Sequence, residues 1–231
     1  ISHWPLKSTG TRADGSPTLW QHGRALGGAF FQQSSLARHA LATERNVVKV
    51  GEDVPAHVLA ALPCGVNTGA GAALNVLGVR AGMSVAVVGV GAVGLASLMI
   101  AAEAGCAPIV AVDIRDNRLA LACELGATHA VNAAREDFAA AIMSATGGRG
   151  VDGLVDTSGI AETVPRGVEA LAMPGTYVLV GSARPGTLAQ FDMVLLQSGR
   201  AVRGCIQGDG EPVELIPALA QRYRGGRFPV D

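Results

Sequence analysis

Charge is scarce in this chain. Asp, Glu, Lys and Arg make up 16% of its 231 residues, and the two signs nearly cancel to a net charge of −1. With no basic excess to neutralise a phosphate backbone, nucleic acid is excluded as an expected partner. The short basic run Arg222–Arg227 reads as the solvated end of a helix. Cysteine is sparse as well. Four are present, at positions 64, 106, 123 and 205, none in C-x-x-C spacing and three inside apolar segments. A disulfide framework is therefore not expected, and reduced thiols in a reducing, cytoplasmic compartment are. Long apolar runs are also missing. Residues 54–79 and 81–102 lack Asp, Glu, Lys and Arg, but Pro55, Pro63, Asn67, Thr68 and Asn75 interrupt the first, and Gly82, Gly89, Gly91 and Gly94 the second. Neither reads as a membrane span. No secretory leader pattern, solenoid repeat or low-complexity linker is evident. What is abundant is apolar content, at 49%, which predicts a substantial core in one large or two modest domains.

The densest local signal lies at residues 83–94, Met-Ser-Val-Ala-Val-Val-Gly-Val-Gly-Ala-Val-Gly. Ser84–Val88 has the composition of a strand buried on both faces. Gly89, Gly91 and Gly94 form G-x-G-x-x-G. The first glycine suits a tight turn, the second allows backbone to approach a pyrophosphate, and the third lets the next helix pack closely. Residues 92–104 read as that helix, whose N-terminal N–H groups would face phosphate. Pro108–Val112 reads as a second strand, with Asp113 at its end. A carboxylate there can hydrogen-bond ribose hydroxyls and would repel a 2′-phosphate, which favours NAD. Arg115 and Arg118 follow closely and could accept a 2′-phosphate, so NADP stays open. The full strand–turn–helix–strand–acid context favours dinucleotide binding over a ligand-free glycine turn.

Around this motif, residues 1–28 read as loop. Leu36–Leu41 and Asn46–Val50 read as short β segments, 55–62 as a helix opened by Pro55, and 65–78 as a longer helix ending at Gly78. Strands are predicted near 84–88, 109–113, 128–131, 152–156, 176–180 and 200–206. Helices are predicted near 92–104, 116–125, 135–145, 161–171 and 211–224. The alternation implies an α/β fold with a doubly wound parallel sheet.

Cys64-Gly65-Val66-Asn67-Thr68-Gly69-Ala70-Gly71-Ala72-Ala73 precedes the glycine motif. It resembles the C-G-x-x-T-G-x-G-A segment of the zinc-dependent medium-chain alcohol dehydrogenases. Asn46–Val50, Asp113-Ile114, Leu125–Thr128 and Ser198–Arg200 match further pieces. Phe30–Ser35 together with Cys64–Ala73 is most similar to the aryl-alcohol (benzyl alcohol) dehydrogenase branch. The resemblance implies a partial GroES-like catalytic domain over 1–63 and a Rossmann domain over 64–231, with about 207–231 leading back toward the catalytic domain. It implies that Cys64 is the third protein ligand of a catalytic zinc. A thiol at a helix start, where a thiolate is favoured, fits that role. It implies that Thr68 faces the nicotinamide and that Gly89, Val90, Gly91, Ala92, Val93 and Gly94 hold the pyrophosphate. Asp113, Ile114 and Arg118 would form the adenosine pocket, and Thr157, Ser158, Val180, Gly181 and Ser182 the strand ends flanking the cofactor. Cys106, Cys123 and Cys205 read as core residues.

The departures matter too. The family's upstream Cys and His ligands and its four-cysteine zinc lobe have no counterpart here, and the histidines at 3, 22, 39, 57 and 129 lack the expected spacing to Cys64. The chain opens at Ile1 and closes at Pro229-Val230-Asp231, so both ends read as cuts in a longer polypeptide. The expected activity is NAD-dependent oxidation of a primary, aryl or allylic alcohol to its aldehyde by zinc-assisted hydride transfer. The expected assembly is a homodimer or homotetramer through the edge strand near Arg200–Ile206. A dinucleotide-binding module without alcohol chemistry, or a zinc-free relative similar to quinone reductases, are the alternatives.

Overall fold

The computed structural model describes residues 10–12, 14–28, 38, 39, 42, 44 and 47–231. It divides into two compact units, Ile1–Lys49 and Val50–Asp231.

In the first unit, β1 (Leu19–Gln21) pairs antiparallel with β2 (Arg24–Leu26). The loop expected over residues 1–28 therefore contains a hairpin. Its two turn residues, His22 and Gly23, have φ of 48° and 76°, the left-handed pair that a two-residue hairpin turn requires. Residues 47–50 form no strand. No described residue pairs with them in a ladder, so the strand expected at Asn46–Val50 is corrected over 47–50, and Asn46 lies outside the described residues. The segment at Leu36–Leu41 lies largely outside the described residues.

The second unit begins with α1, a helical rod over residues 56–77. The α-helical stretches Ala56–Ala61 and Asn67–Gly71 alternate with π-helical Leu62–Val66 and Ala72–Leu77. Two separate helices were expected because Pro63 cannot donate to an α-helical ladder. A π turn at Pro63 widens the rod and carries the chain through instead.

A six-stranded parallel sheet follows. Its strands are β3 (Val85–Val88), β4 (Ile109–Asp113), β5 (His129–Asn132), β6 (Val151–Asp156), β7 (Leu171–Leu179) and β8 (Ala201–Gly204), in the order β5-β4-β3-β6-β7-β8. The connecting helices are α2 (Ala92–Glu103), α3 (Asp116–Glu124), α4 (Phe138–Ala145), α5 (Thr163–Glu169) and α6 (Met193–Gln197), with α7 (Pro212–Arg224) after β8. The order reverses between β3 and β6, and this is the Rossmann arrangement. Along β3, Val85 and Val87 pack with Leu98, Ala101 and Leu119 on one face. Ala86 and Val88 pack with Phe138, Ile142 and Leu154 on the other. The period-2 alternation of a pleated strand thus buries both faces and explains the unbroken apolar run. α4 starts later than expected because Asp137 caps it, accepting from the N–H groups of Ala139 and Ala140. α5 ends earlier because Leu171 already pairs with Val151 in the sheet.

Candidate functional site

A cleft of about 420 Å³ opens at the carboxyl ends of the strands where the order reverses. It is lined by Gly89, Gly91, Ala92, Val93, Asp113, Ile114, Arg118, Thr157 and Ser158, all picked out from sequence. Val88, Val112, Ala133, Ile160 and Thr163 complete it. Val90 is buried, with its side chain in the core.

Each glycine of the motif has a distinct steric reason. Gly89 has a φ of +82°, and a Cβ there would lie 2.6 Å from Thr157 Oγ1. A Cβ on Gly94 would lie 2.0 Å from the Gly89 carbonyl oxygen, so only glycine lets α2 approach the turn. Gly91 is different. Its φ of −79° is open to any residue, and a Cβ would meet nothing nearer than Arg118 Nη1 at 3.9 Å. Folding does not require glycine at 91; the empty space in front of it faces the cleft. No side chain caps α2. Its first-turn N–H groups therefore make an anion-accepting end.

Asp113 ends β4 and is buried. Its carboxylate accepts from the N–H of Val90 at 3.0 Å, of Ile114 at 2.8 Å and of Arg115 at 3.0 Å. The residue thus ties the glycine loop to the end of the next strand. Of the roughly four acceptor positions of a carboxylate, the remaining one faces the Arg118 guanidinium, 3.6 Å away and at the edge of the cleft.

On the opposite side, Thr157 Oγ1 reaches the carbonyl oxygens of Val88 at 3.1 Å and Gly89 at 2.6 Å. Ser158 N–H donates to Asp156 at 2.7 Å. Val180 and Gly181 donate their N–H groups to the Asp156 carbonyl oxygen. Gly181 and Ser182 crowd Gly159 so closely that a Cβ on Gly181 would lie 2.2 Å from its nitrogen. Val180, Gly181 and Ser182 therefore support the 157–159 corner but do not line the cleft.

Sequence reading missed the group beneath that corner. Asp156 is fully buried at the end of β6 and accepts from Tyr177 Oη, from Thr163 Oγ1 and from Ser158 N–H. The available signal was a carboxylate closing the apolar run Gly153-Leu154-Val155. Burial, and then the charge of Asp156, push the Tyr177 phenol above its ordinary value near 10. The folded state therefore holds this proton. Its stabilising contribution is full below the unfolded phenol's pKa of about 10 and is lost as pH rises beyond it. Between pH 10 and 12 the urea midpoint of the wild type is expected to fall more steeply than that of Tyr177→Phe; parallel curves would contradict this.

Cys64 and Thr68 lie on α1, which crosses the start of α2. A Cβ on Gly69 would lie 1.9 Å from the Val93 carbonyl oxygen, and Ser97 Oγ donates to the Gly69 carbonyl at 2.7 Å. The glycines of the Cys64–Ala73 segment thus allow a close helix crossing. Cys64 is exposed on the π-helical stretch. It sits within a continuous rod and not at a helix start as expected, so the helix-terminus argument for its thiolate is withdrawn. Among the described residues, no group of three or more His, Cys, Asp or Glu is placed to hold a metal. Cys106 and Cys205 are buried, as expected, but Cys123 is exposed. It lies on the solvent face of α3, whose buried side is carried by Leu119 and Ala122.

The strand order, the glycine turn and the uncapped helix define a Rossmann domain with an anion-accepting cleft at its switch point. Comparison with known proteins agrees. The family model described as "Zinc-binding dehydrogenase" matches residues 92–221, and the chain belongs to this family. It is 39% identical to geraniol dehydrogenase of Castellaniella defragrans over 98% of this chain and 61% of that protein. Among solved structures it is similar to an alcohol dehydrogenase zinc-binding domain protein from Burkholderia ambifaria, with TM-score 0.92, 46% identity and coverage of 96% of this chain and 60% of that one. It is also similar to benzyl alcohol dehydrogenase from Acinetobacter calcoaceticus, with TM-score 0.89, 42% identity and the same coverage. The chain thus spans 60–61% of the length of these relatives. The family's zinc would need three protein ligands and an open position. Cys64 alone does not supply them among the described residues.

Proposed function

We propose that this chain is the cofactor-holding part of an NAD-dependent alcohol dehydrogenase that interconverts a primary alcohol and its aldehyde. The observation that carries the reading is the cleft that brings the glycine turn and Asp113 together across the end of β3. The pyrophosphate would lie against Gly91 and the start of α2, with favourable charge from the helix end. The adenosine ribose would meet Asp113 at the acceptor position that Arg118 faces, and the rest of the dinucleotide would extend across the end of β3. Arg118 would close over the adenosine side. The protein supplies position and electrostatics for hydride transfer, and the nicotinamide supplies the chemistry.

Two relatives carry the names geraniol dehydrogenase and benzyl alcohol dehydrogenase. Both substrates hold the carbinol carbon beside a π system, which supports an allylic or aryl primary alcohol. The family description supports zinc as a second cofactor; Cys64 lies outside the matched residues and is a candidate ligand only by the resemblance of its own segment. The exposed end of edge strand β8 supports association with a second copy through unpaired backbone. No helix among the described residues is long and apolar enough to cross a membrane.

The test is turnover. With zinc supplied, an alcohol dehydrogenase that carries this chain as its cofactor-holding part is expected to reduce NAD⁺ with benzyl alcohol or geraniol far faster than with a saturated secondary alcohol. Tight NADH binding without turnover of any primary alcohol would leave only the dinucleotide-binding module.

A further inference from the structure

The peptide bond between Gly89 and Val90 is held from both sides of the cleft. Its carbonyl oxygen accepts from Thr157 Oγ1 at 2.6 Å, and its N–H donates to Asp113 Oδ2 at 3.0 Å. A trans peptide points its C=O and N–H in opposite directions. Thr157 follows the end of β6 and Asp113 ends β4, and β3 lies between those two strands. The two side chains therefore grip one peptide plane from opposite sides, across the end of β3.

Nothing in Gly89 itself fixes this plane. The residue has no side chain and a φ of +82°, so its backbone is conformationally permissive. Val90, by contrast, is anchored by a side chain buried in the core. The motion left open is rotation of the peptide plane between two stationary Cα atoms. Such a flip would aim the Gly89 carbonyl at the Asp113 carboxylate and turn the N–H toward Thr157. The Thr157 hydroxyl opposes it. Its other near acceptor, the Val88 carbonyl, is 3.1 Å away and already takes the Thr157 backbone N–H. Among the described residues no other donor reaches the Gly89 carbonyl. On the far side, Asp113 Oδ1 is held by the Ile114 and Arg115 N–H groups. The Val90 N–H on Oδ2 then fixes the rotation of the carboxylate, and with it the direction of its one remaining acceptor position.

We propose that Thr157 is a positioning residue that acts through the Gly89–Val90 peptide on Asp113, and so sets the direction in which that carboxylate meets a ribose hydroxyl. This rests on the reading of the cleft as a dinucleotide site with Asp113 at the adenosine ribose. Thr157 lines the cleft, but its single proton is engaged by the glycine turn, so its effect on the ligand is indirect. A purely structural role would weaken every nucleotide alike. A role through Asp113 weakens NADH, whose ribose 2′-hydroxyl needs the acceptor, and spares NADPH, whose 2′-phosphate does not.

The experiment titrates NADH and NADPH into the full chain and into Thr157→Ala, Thr157→Ser, Asp113→Asn and the double variant Thr157→Ala/Asp113→Asn. Thr157→Ala is expected to weaken NADH about five- to tenfold, the size of one lost hydrogen bond, and NADPH less than about twofold. Thr157→Ser keeps the hydroxyl and is expected to bind both like wild type. In Asp113→Asn the grip is already broken at Val90. Adding Thr157→Ala there is expected to weaken NADH less than about twofold further, where independent sites would add in full. Without ligand, hydrogen exchange of the Val90 amide is expected to speed up about five- to tenfold in Thr157→Ala, with Val87 in β3 unchanged. Unchanged Val90 exchange, a parallel loss of NADH and NADPH, or full additivity in the double variant would overturn the inference. A wild-type chain that binds neither nucleotide would remove the dinucleotide reading and the role toward ribose with it, whereas the exchange result tests the grip on Gly89–Val90 by itself.

Discussion

Gly91→Ala is expected to keep the fold and lose the cofactor. Its φ is ordinary, and the new methyl would meet no protein atom closer than 3.9 Å. The melting temperature should stay within about 2 °C of wild type, as for a substitution that neither overpacks nor strains the backbone. The same methyl stands where a pyrophosphate must approach the backbone. NADH affinity should fall at least about 100-fold, because the N–H contacts and the helix end are held off together. Gly94→Ala should do the reverse in order of severity. Its methyl would lie 2.0 Å from the Gly89 carbonyl oxygen, a backbone atom that cannot swing away. A loss of about 3 kcal/mol or more is expected from forcing α2 off the strand turn, with binding lost as a consequence. Thermal melts beside fluorescence titrations separate the two effects. Equal melting losses in both variants would contradict the assignment of Gly91 to ligand approach.

Asp113 carries the second large effect. Asp113→Asn keeps a carbonyl oxygen for the Ile114 and Arg115 N–H groups, loses the acceptor of Val90 N–H and removes the charge. The negative repulsion against a 2′-phosphate disappears, while Arg115 and Arg118 remain at that corner. The ratio of NADPH to NADH affinity should rise at least about tenfold, the scale of one charge contact at a partly shielded site. Asp113→Ala removes the acceptors altogether. It should weaken both cofactors about 100-fold and lower stability by about 2 kcal/mol, because buried N–H groups lose their partner. Competitive titration of the two reduced cofactors reads the ratio directly. An unchanged ratio in Asp113→Asn would show that Asp113 serves the glycine loop alone.

Much of this site was legible before folding was considered, for a physical reason. The cradle is local: Val85–Val88, Gly89, Gly91, Gly94 and the start of α2 follow one another, so their steric demands are written contiguously. The parallel strands were legible because burial on both faces forces apolar runs. Three features were not. Pro63 reads as a helix break, yet a π turn absorbs it and makes α1 one rod. The hairpin at His22-Gly23 has strands of three residues, too short for alternation to register. The Asp156 group draws on positions 156, 158, 163 and 177, and only the packing of β6, α5 and β7 brings them together. The Cys64 motif shows the converse. Gly69 is explained by the crossing of α1 on α2 and Gly71 by its contact with Gly208, while its cysteine belongs to no group of three or more metal-ligating residues among the described residues.

The central claim is that the cleft at the end of β3 holds NAD. Isothermal titration of the full chain with NADH, and separately with NADPH, tests it most directly. The account predicts one saturable NADH site per chain, with NADPH at least about tenfold weaker because of the Asp113 carboxylate. Absence of saturable NADH binding, or tighter binding of NADPH, would contradict it.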